Sequence, residues 1–287
     1  MLKRLLALTA LSVGIAALAV IVTSHRPASQ PEANATATTT PTPTPRKARR
    51  PKRPVGEIRG AAARRMPVPI LMYHVINKAP AGVPNAELWV DKDVFADEMR
   101  ALHKAGYTAV TLQQAWDGWR HGGPLPKHPI VLSFDDGYLS HYTHAKPVLR
   151  KLGWPGVLYL EIKSIGPGGL TEHQIRSLMN AGWEIDSHTI THPDLTTLDA
   201  SSLRHEVSGS RAALRRDFGV PVDNFAYPAG AHDAAAEAAV RAAGYRAAVT
   251  TELGLAHMDA DRAALPRVRV NGTDSAAAVL QAVESAQ

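Results

Sequence analysis

Short apolar runs alternate with longer amphipathic stretches from about Met66 to the end of the chain. The apolar runs predict strands, which we place at Pro69–Val75, Thr108–Thr111, Ile130–Phe134, Gly156–Leu160, Glu184–Ser187, Asn224–Tyr227, Ala247–Thr250 and Arg267–Val270. The amphipathic stretches predict helices at Asp93–Ala105, Leu112–Arg120, Tyr138–Leu152, Thr171–Ala181, Ser201–Phe218, Asp233–Ala243 and Ser275–Ala286. Glycines 153, 182 and 244 are typical of helix ends that lead into strands. This alternation predicts an α/β domain with a parallel sheet, either open or closed into a barrel.

The first 23 residues have a different character. Lys3 and Arg4 precede an uncharged apolar run from Leu5 to Val22. Its length lies between that of a signal-peptide core and that of a short membrane span. We expect an uncleaved anchor with a cytoplasmic N-terminus, because the basic residues precede the run. A cleaved signal peptide and a buried helix of a soluble domain are the alternatives. The folded part is therefore expected outside the cytoplasm, either membrane-anchored or secreted.

Residues 24–65 are rich in proline, threonine and alanine, then become strongly basic, and contain few apolar residues. This composition predicts a disordered linker. Much of the net charge of +6 lies in this segment, so that charge says little about the folded part. We expect no nucleic-acid binding from an exported chain. Residues 66–287 are enough for one domain with a large core, which we expect to be monomeric.

Two adjacent acids end one of the predicted strands. Residues 130–138 read IVLSFDDGY, so a buried strand carries Asp135 and Asp136 at its C-terminal end, where functional groups gather in α/β folds. Neighbouring anions repel, so a positive group must hold at least one of them. The chain has no cysteine, and any metal must therefore be bound by histidines and carboxylates.

Two histidines follow another short strand. Residues 184–195 read EIDSHTITHPDL, with His188 and His192 four positions apart. On one helical turn, both imidazoles would project to the same side. Two histidines and one carboxylate form a common ligand set for a divalent cation. One acid of the pair would bind the metal, while the other stays free as a base. Each motif is weak alone, because histidine pairs arise by chance and Asp-Asp-Gly is also a turn signal.

Together these motifs resemble the polysaccharide deacetylases, carbohydrate esterase family 4, which share a NodB-type homology domain. Residues 133–137, SFDDG, match the family's first motif, and residues 187–192, SHTITH, match its second. The resemblance extends from about Pro69 to Val270 and implies a distorted (β/α)-barrel of about seven to eight parallel strands. It also implies that Asp135 is the general base. Asp136, His188 and His192 would bind one divalent ion, most often zinc, although cobalt, nickel or manganese serve in relatives.

The third motif departs from the commoner pattern of the family. Residues 225–230 read FAYPAG where many members have R-P-P-Y, so Ala226 stands in the arginine position. This motif resembles one branch of the family. The resemblance implies that the Ala229 N–H helps to hold an oxyanion, and we assign Tyr227 to the substrate as well. Arg267 resembles the arginine that this branch uses beside the base; a surface charge is the alternative.

The candidate for the general acid also lies at a different place in the sequence from that in the commoner members of the family. The usual C-terminal L-x-H is missing, but residues 70–74 read ILMYH at the end of the first strand. The same branch has an N-terminal Met-Tyr-His, which implies that His74 is the general acid. A satisfied core histidine is the alternative. His141 and His144, on the helix after the acid pair, are expected to face solvent.

The resemblance and the expected location predict a metal-dependent hydrolase that removes acetyl groups from N-acetylglucosamine units of a cell-wall or extracellular polysaccharide. An O-acetyl esterase of the xylan type would use the same residues. A weakly active glycan-binding module tethered to the wall is an alternative of another class. A small-molecule amidase would instead require a closed pocket.

Overall fold

Seven parallel strands close into a barrel in the computed structural model, which describes residues 56–285. The strands of this part of the chain are β1 (Ile70–Tyr73), β2 (Val75–Ile76), β3 (Trp89–Val90), β4 (Thr108–Val110), β5 (Pro129–Asp136), β6 (Val157–Leu160), β7 (Glu184–Ser187), β8 (Asn224–Ala226), β9 (Ala247–Leu253) and β10 (Leu265–Arg269). The barrel order is β1-β10-β9-β8-β7-β6-β5, and pairing of β1 with β5 closes it. β4 adds to the beginning of β5, and β2 pairs separately with β3. The predicted barrel is confirmed.

The helices of the described residues are α1 (Gly60–Arg64), α2 (Lys92–Lys104), α3 (Leu112–His121), α4 (Lys146–Leu152), α5 (Glu172–Asn180), α6 (Ala200–Phe218), α7 (Ala234–Ala242) and α8 (Ala276–Ser285). Six of them, α2 to α7, lie between successive strands of the chain, whereas α1 precedes β1 and α8 follows β10. Thr111 and Thr171 begin α3 and α5 with reciprocal capping boxes. Gly153 ends α4 in the left-handed conformation, with a φ of 71°. The predicted helix at Tyr138–Leu152 contains a π-helical turn, His141–Ala145, ahead of α4.

Alternate residues of each strand face opposite sides of the barrel wall. In β5, Leu132 and Phe134 pack in the cluster that also contains the apolar residues of the helices. Val131 belongs to a second cluster, which consists mostly of strand residues. The side chain of Asp135 lies on the same face of β5 as Val131, because strand side chains alternate with period two. Asp135 therefore faces the interior of the barrel.

The folded part begins earlier than the sequence predicts. Ile58 and Leu125 exchange two backbone hydrogen bonds, of 2.7 and 3.0 Å. α1 packs against α3, and its Ala63 is completely buried. The predicted linker boundary at residue 66 is therefore too late, because backbone pairing and a buried alanine need little apolar sequence. The candidate anchor at 1–23 and most of the linker lie outside the described residues. Between residues 56 and 285, no helix is both long and apolar enough to cross a membrane.

Glu98 is a carboxyl group enclosed between α2 and β1. Its side chain is completely buried, and the Tyr73 hydroxyl donates a hydrogen bond of 2.9 Å to Oε2. Oε1 has no hydrogen-bond partner among the described residues. Burial raises the pKa of Glu98 to about 8, and the hydrogen bond from Tyr73 opposes this only in part. The group is therefore protonated in the folded protein at neutral pH.

We expect Glu98→Gln to remove one source of pH-dependent stability. The pKa of Glu98 in the folded protein, about 8, lies above the ordinary value of 4.5. Between these two pH values the folded protein therefore keeps a proton on Glu98 that the unfolded chain has lost. The free energy of unfolding therefore falls as pH rises through this window, by at most about 1.4 kcal/mol per pH unit from this group. Urea unfolding of both proteins should show that the free energy of unfolding of the variant increases relative to that of the wild type as pH rises. A difference that does not change with pH would contradict the burial argument.

Candidate active site

The polar groups singled out in the sequence lie at one mouth of the barrel. Asp135 and Asp136 end β5, His188 follows β7, and His74 follows β1. Arg267 lies in β10, which pairs with β1. In a closed parallel barrel, the carboxyl ends of all strands open at the same side. The fold thus brings together groups that are far apart in the sequence.

Asp136, His188 and His192 form a cluster of three potential metal ligands. Asp136 Oδ1 lies 3.3 Å from His188 Nε2 and 3.6 Å from His192 Nε2, and one ligand atom from each residue lies within 4.8 Å of the others. Tetrahedral ligands at zinc bond lengths of about 2.1 Å would be separated by about 3.4 Å. His188 Nδ1 donates to the Ala226 carbonyl, at 2.8 Å, which leaves the lone pair of Nε2 facing Asp136. The donor set fits a divalent cation.

A buried acid holds the loop that carries the two histidines. The Glu206 carboxylate accepts hydrogen bonds from the backbone N–H groups of Ile190 and Thr191, at 2.7 and 3.0 Å, and from the Thr191 hydroxyl, at 2.7 Å. The His192 N–H donates to Thr189 Oγ1, at 3.0 Å. Sequence reasoning missed Glu206. The signal was an acid on the buried face of the amphipathic helix α6.

Backbone strain concentrates at this mouth. Four non-glycine residues of the site have φ values in the left-handed region: Asp136 (74°), Thr189 (69°), His192 (59°) and Ala229 (53°). Such conformations cost about 1–3 kcal/mol each and persist where the surrounding structure enforces them. Gly137 also has a positive φ, of 93°, and a Cβ there would lie 2.5 Å from a Leu160 methyl group. The turn after the acid pair therefore requires glycine.

Arg267 holds Asp135 by a bidentate ion pair inside the barrel. Nη1 and Nη2 each lie 2.8 Å from one carboxylate oxygen of Asp135. Nε donates to the Thr250 carbonyl, at 2.7 Å, and Nη1 also to Ser133 Oγ, at 3.2 Å. Arg267 is only 1% exposed, which excludes the surface-charge alternative. A guanidinium fork of this kind fixes the orientation of the carboxylate.

The charge of Arg267 keeps Asp135 ionised despite its burial. Asp135 is 1% exposed, and burial alone would raise its pKa. The positive charge and hydrogen bonds of Arg267 outweigh this effect, so the pKa of Asp135 lies below its ordinary value. A carboxylate held in this way can accept a proton at neutral pH.

His74 lies next to this carboxylate. Its Nε2 is 3.9 Å from Asp135 Oδ2, beyond hydrogen-bond distance, and its side chain is 12% exposed. Nδ1 is buried and has no hydrogen-bond partner among the described residues. Burial lowers the pKa of His74, and the negative charges of Asp135 and Asp136 partly oppose this. A satisfied core histidine would have partners, so the structure does not fit that alternative.

The two residues assigned to the substrate differ in exposure. Ala229 has an exposed side chain on the turn after β8. Tyr227 is completely buried; its ring stacks on His232 at a centroid distance of 5.0 Å, and its hydroxyl has no hydrogen-bond partner among the described residues. This burial argues against contact between the Tyr227 side chain and a substrate. We correct that assignment: the ring supports the turn, and the role of Ala229 stays a prediction.

The solvent-facing prediction for two other histidines is wrong. His141 is completely buried and His144 is half-buried. Each ring lies 2.6 Å from a backbone carbonyl oxygen, that of His74 for His141 and that of Ile76 for His144. Their spacing of three residues was a signal for one buried helix face, but no local pattern identified the acceptor strand.

A cavity of about 280 Å³ adjoins the cluster of potential ligands. It is lined by Asp136, Gly137, Tyr138, Glu161, Lys163, Ser164, Pro167, Gly168 and Gly169. Tyr138 is 37% exposed, although it follows the buried β5 closely. An exposed aromatic ring beside the acid pair offers an apolar face to a ligand at this mouth.

Comparison with known proteins identifies polysaccharide deacetylases as relatives of this chain. The family model described as polysaccharide deacetylase matches residues 122–248. YxkH of Bacillus subtilis (strain 168), provisionally named as a polysaccharide deacetylase, is 33% identical over 219 residues, which cover 76% of each chain. The poly-beta-1,6-N-acetyl-D-glucosamine N-deacetylase of Escherichia coli (strain K12) is 45% identical over 56 residues, but these cover 20% of this chain and 8% of that protein.

Among solved structures, the Streptococcus pyogenes deacetylase PplD in complex with acetate superposes with a TM-score of 0.71. It is 25% identical, and the match covers 76% of this chain and 99% of that one. The similarity to YxkH spans most of both proteins, and the match to PplD extends it to the fold. The chain therefore belongs to the polysaccharide deacetylase family.

Proposed function

We propose that this protein is a metal-dependent hydrolase that removes acetyl groups from N-acetylglucosamine units of a cell-wall or extracellular polysaccharide. One observation carries the proposal: a carboxylate held by Arg267 lies directly beside a cluster of one carboxylate and two imidazoles. Asp135 and Asp136 thus have different partners, which suits one for proton transfer and the other for a cation. His74 Nε2 lies 3.9 Å from Asp135 Oδ2.

Asp136, His188 and His192 would hold the metal, for which we propose zinc. When bound, such an ion supplies positive charge that polarises the acetyl carbonyl and lowers the pKa of a coordinated water. The tautomer of His188 is set for this role, because Nδ1–H is engaged by the Ala226 carbonyl. His192 is the most exposed member of the set, with 36% of its side chain accessible.

Asp135 would accept the proton of the attacking water, since Arg267 keeps its carboxylate ionised and oriented. The Ala229 N–H would donate to the tetrahedral oxyanion. His74, in its protonated form, would donate a proton to the departing amine nitrogen. An amine is a poor leaving group unless it is protonated, so amide cleavage depends on this last step. Free amine and acetate are the products.

The substrate assignment draws on a short but similar stretch of a relative. The E. coli protein that shares 45% identity over 56 residues is named for an N-acetyl-D-glucosamine polymer. The expected extracytoplasmic location would bring this enzyme to such polymers. Acetate release should be measured with N-acetylglucosamine oligomers, peptidoglycan and acetylated xylan, each with and without a chelator. Chelator-sensitive release from the first two supports the proposal; release from acetylated xylan alone would assign an O-acetyl esterase, and binding without release would assign a glycan-binding module.

We expect His74→Ala to separate amide from ester cleavage. Without the proton donor, acetate release from N-acetylglucosamine oligomers should fall by about 10²–10⁴-fold, the usual contribution of a general acid. Cleavage of 4-nitrophenyl acetate should change little, because nitrophenolate departs without a proton. Metal content should match that of the wild type. Equal loss on both substrates would contradict the assignment of His74.

A further inference from the structure

Three side chains of one turn hold the backbone of the segment that carries His74. The Ile76 N–H donates to Ser140 Oγ, at 3.0 Å. The His141 ring lies 2.6 Å from the His74 carbonyl oxygen, through Nε2. The His144 ring lies 2.6 Å from the Ile76 carbonyl oxygen, through Nδ1. We name Ser140, His141 and His144 the 74–76 clamp.

The acceptors in the clamp fix the tautomers of both rings. A carbonyl oxygen can only accept a hydrogen bond, so His141 carries its proton on Nε2 and His144 on Nδ1. His141 Nδ1 is buried and has no hydrogen-bond partner among the described residues. Burial lowers the pKa of His141 to about 4, which keeps the ring neutral. The ring lies against Phe134 and Tyr138, at centroid distances of 5.3 and 5.8 Å, and this packing restricts its rotation.

The position of the clamp connects it to the acid pair. It belongs to the turn that follows Gly137, so the Asp135-Asp136 segment and the backbone of His74 are held by the same stretch of chain. This stretch contains the π-helical turn His141–Ala145, a feature that is frequent at functional sites. His74 depends on such support, because its own ring makes no hydrogen bond to any described residue.

We infer that His141 is a positioning residue for the reaction: through the His74 carbonyl, and together with Ser140 and His144, it sets the distance between His74 and Asp135. The inference rests on the proposed function, in which His74 protonates the amine. His141 itself touches neither Asp135 nor the potential metal ligands in any described contact. Its influence is therefore transmitted through the backbone, and it should affect the steps that need the His74 ring.

The test compares His141→Met with His141→Gln in the full-length protein. Methionine fills the apolar space without donating, whereas the glutamine amide places an N–H near the position of Nε2. We expect His141→Met to lower kcat on N-acetylglucosamine oligomers about 10- to 100-fold, as a misplacement of about 1 Å can do. KM should stay within about twofold. His141→Gln should recover most of the lost activity, and His173→Met, at an exposed position of α5, is the control.

Two further readouts distinguish positioning from a general structural role. Cleavage of 4-nitrophenyl acetate and zinc affinity should match the wild type in His141→Met. The NMR signals of the His74 ring should shift in His141→Met and return in His141→Gln. Normal amide cleavage by a folded His141→Met protein would overturn the inference, as would equal loss on both substrates. If His141→Met does not fold, the half-buried His144 gives the same comparison, with His144→Leu as the broken clamp and His144→Asn as the rescue.

The results that would overturn the role of the clamp differ from those that would overturn the proposed function. Wild-type protein that releases no acetate from any acetylated glycan contradicts the proposed function, whatever the variants do. Active wild-type protein whose His141 and His144 variants behave normally overturns the clamp alone.

Discussion

Asp135→Asn should remove most acetate release while leaving metal binding intact. Asparagine has nearly the same shape as aspartate but cannot accept the proton of the attacking water. General base catalysis contributes about 10²–10⁴-fold, so we expect kcat to fall by about that factor. Steady-state acetate release from N-acetylglucosamine oligomers measures the loss, and zinc titration of the same protein measures the retained metal site.

The control for this variant must account for Arg267. Asparagine leaves a buried guanidinium without its counter-charge, which can lower stability by about 3–5 kcal/mol. Thermal unfolding should therefore accompany the assay, and activity should be compared well below the melting temperature. Asp259→Asn, at an exposed acid that makes no described hydrogen bond, is the matched substitution. A folded Asp135→Asn protein with activity near that of Asp259→Asn would show that another group is the base.

His188→Ala should lose the metal itself. The His188 ring is 2% exposed and supplies one of three potential ligand atoms, and the cluster found among the described residues has no fourth member. Removing even an outer partner of a metal ligand costs about 10–100-fold in affinity, so losing a ligand should cost at least about 100-fold. Isothermal titration with zinc measures the affinity, and acetate release at low free zinc should fall in parallel.

Two variants keep this experiment interpretable. His192→Ala removes a half-exposed ligand at less risk to the fold, and it should also weaken zinc binding. His173→Ala, at an exposed position, should leave affinity unchanged. Zinc affinity that survives both the His188 and the His192 substitution would mean that the cluster at the barrel mouth is not the metal site.

Much of the barrel could be predicted because local residue patterns in the sequence mark most of its strands. β7 occupies the predicted residues Glu184–Ser187, since a helix end at Gly182 precedes it and Trp183 and Ile185 alternate with polar residues. β2 was not predicted as a separate strand, since Val75 was placed at the end of the first one, and β3 was not predicted, because two-residue strands show no period. α1 was missed for a similar reason: it is a five-residue, alanine-rich helix in a basic stretch.

The residues of the candidate site also differ in whether a local sequence pattern could predict them. The Asp135-Asp136 pair, His188 and His192 belong to short motifs and could be proposed from residue types and spacing. The choice of Asp136 as the metal ligand entered only through family resemblance. The ion pair of Arg267 with Asp135 spans 132 positions and leaves no periodic signal, so it entered only through family resemblance. His141 was misjudged because its acceptor lies 67 positions upstream, at the end of another strand. Long-range pairs of buried polar groups depend on how the strands are arranged, which the hydrophobic pattern alone does not specify.

The central claim is that a divalent ion bound by Asp136 and the two histidines makes Asp135 effective as a base. The most direct measurement is acetate release from N-acetylglucosamine oligomers by exhaustively metal-stripped, full-length protein during stepwise addition of zinc. The account predicts no release before zinc is added and full activity at one equivalent. Stripped protein that releases acetate as fast as the untreated enzyme would contradict it.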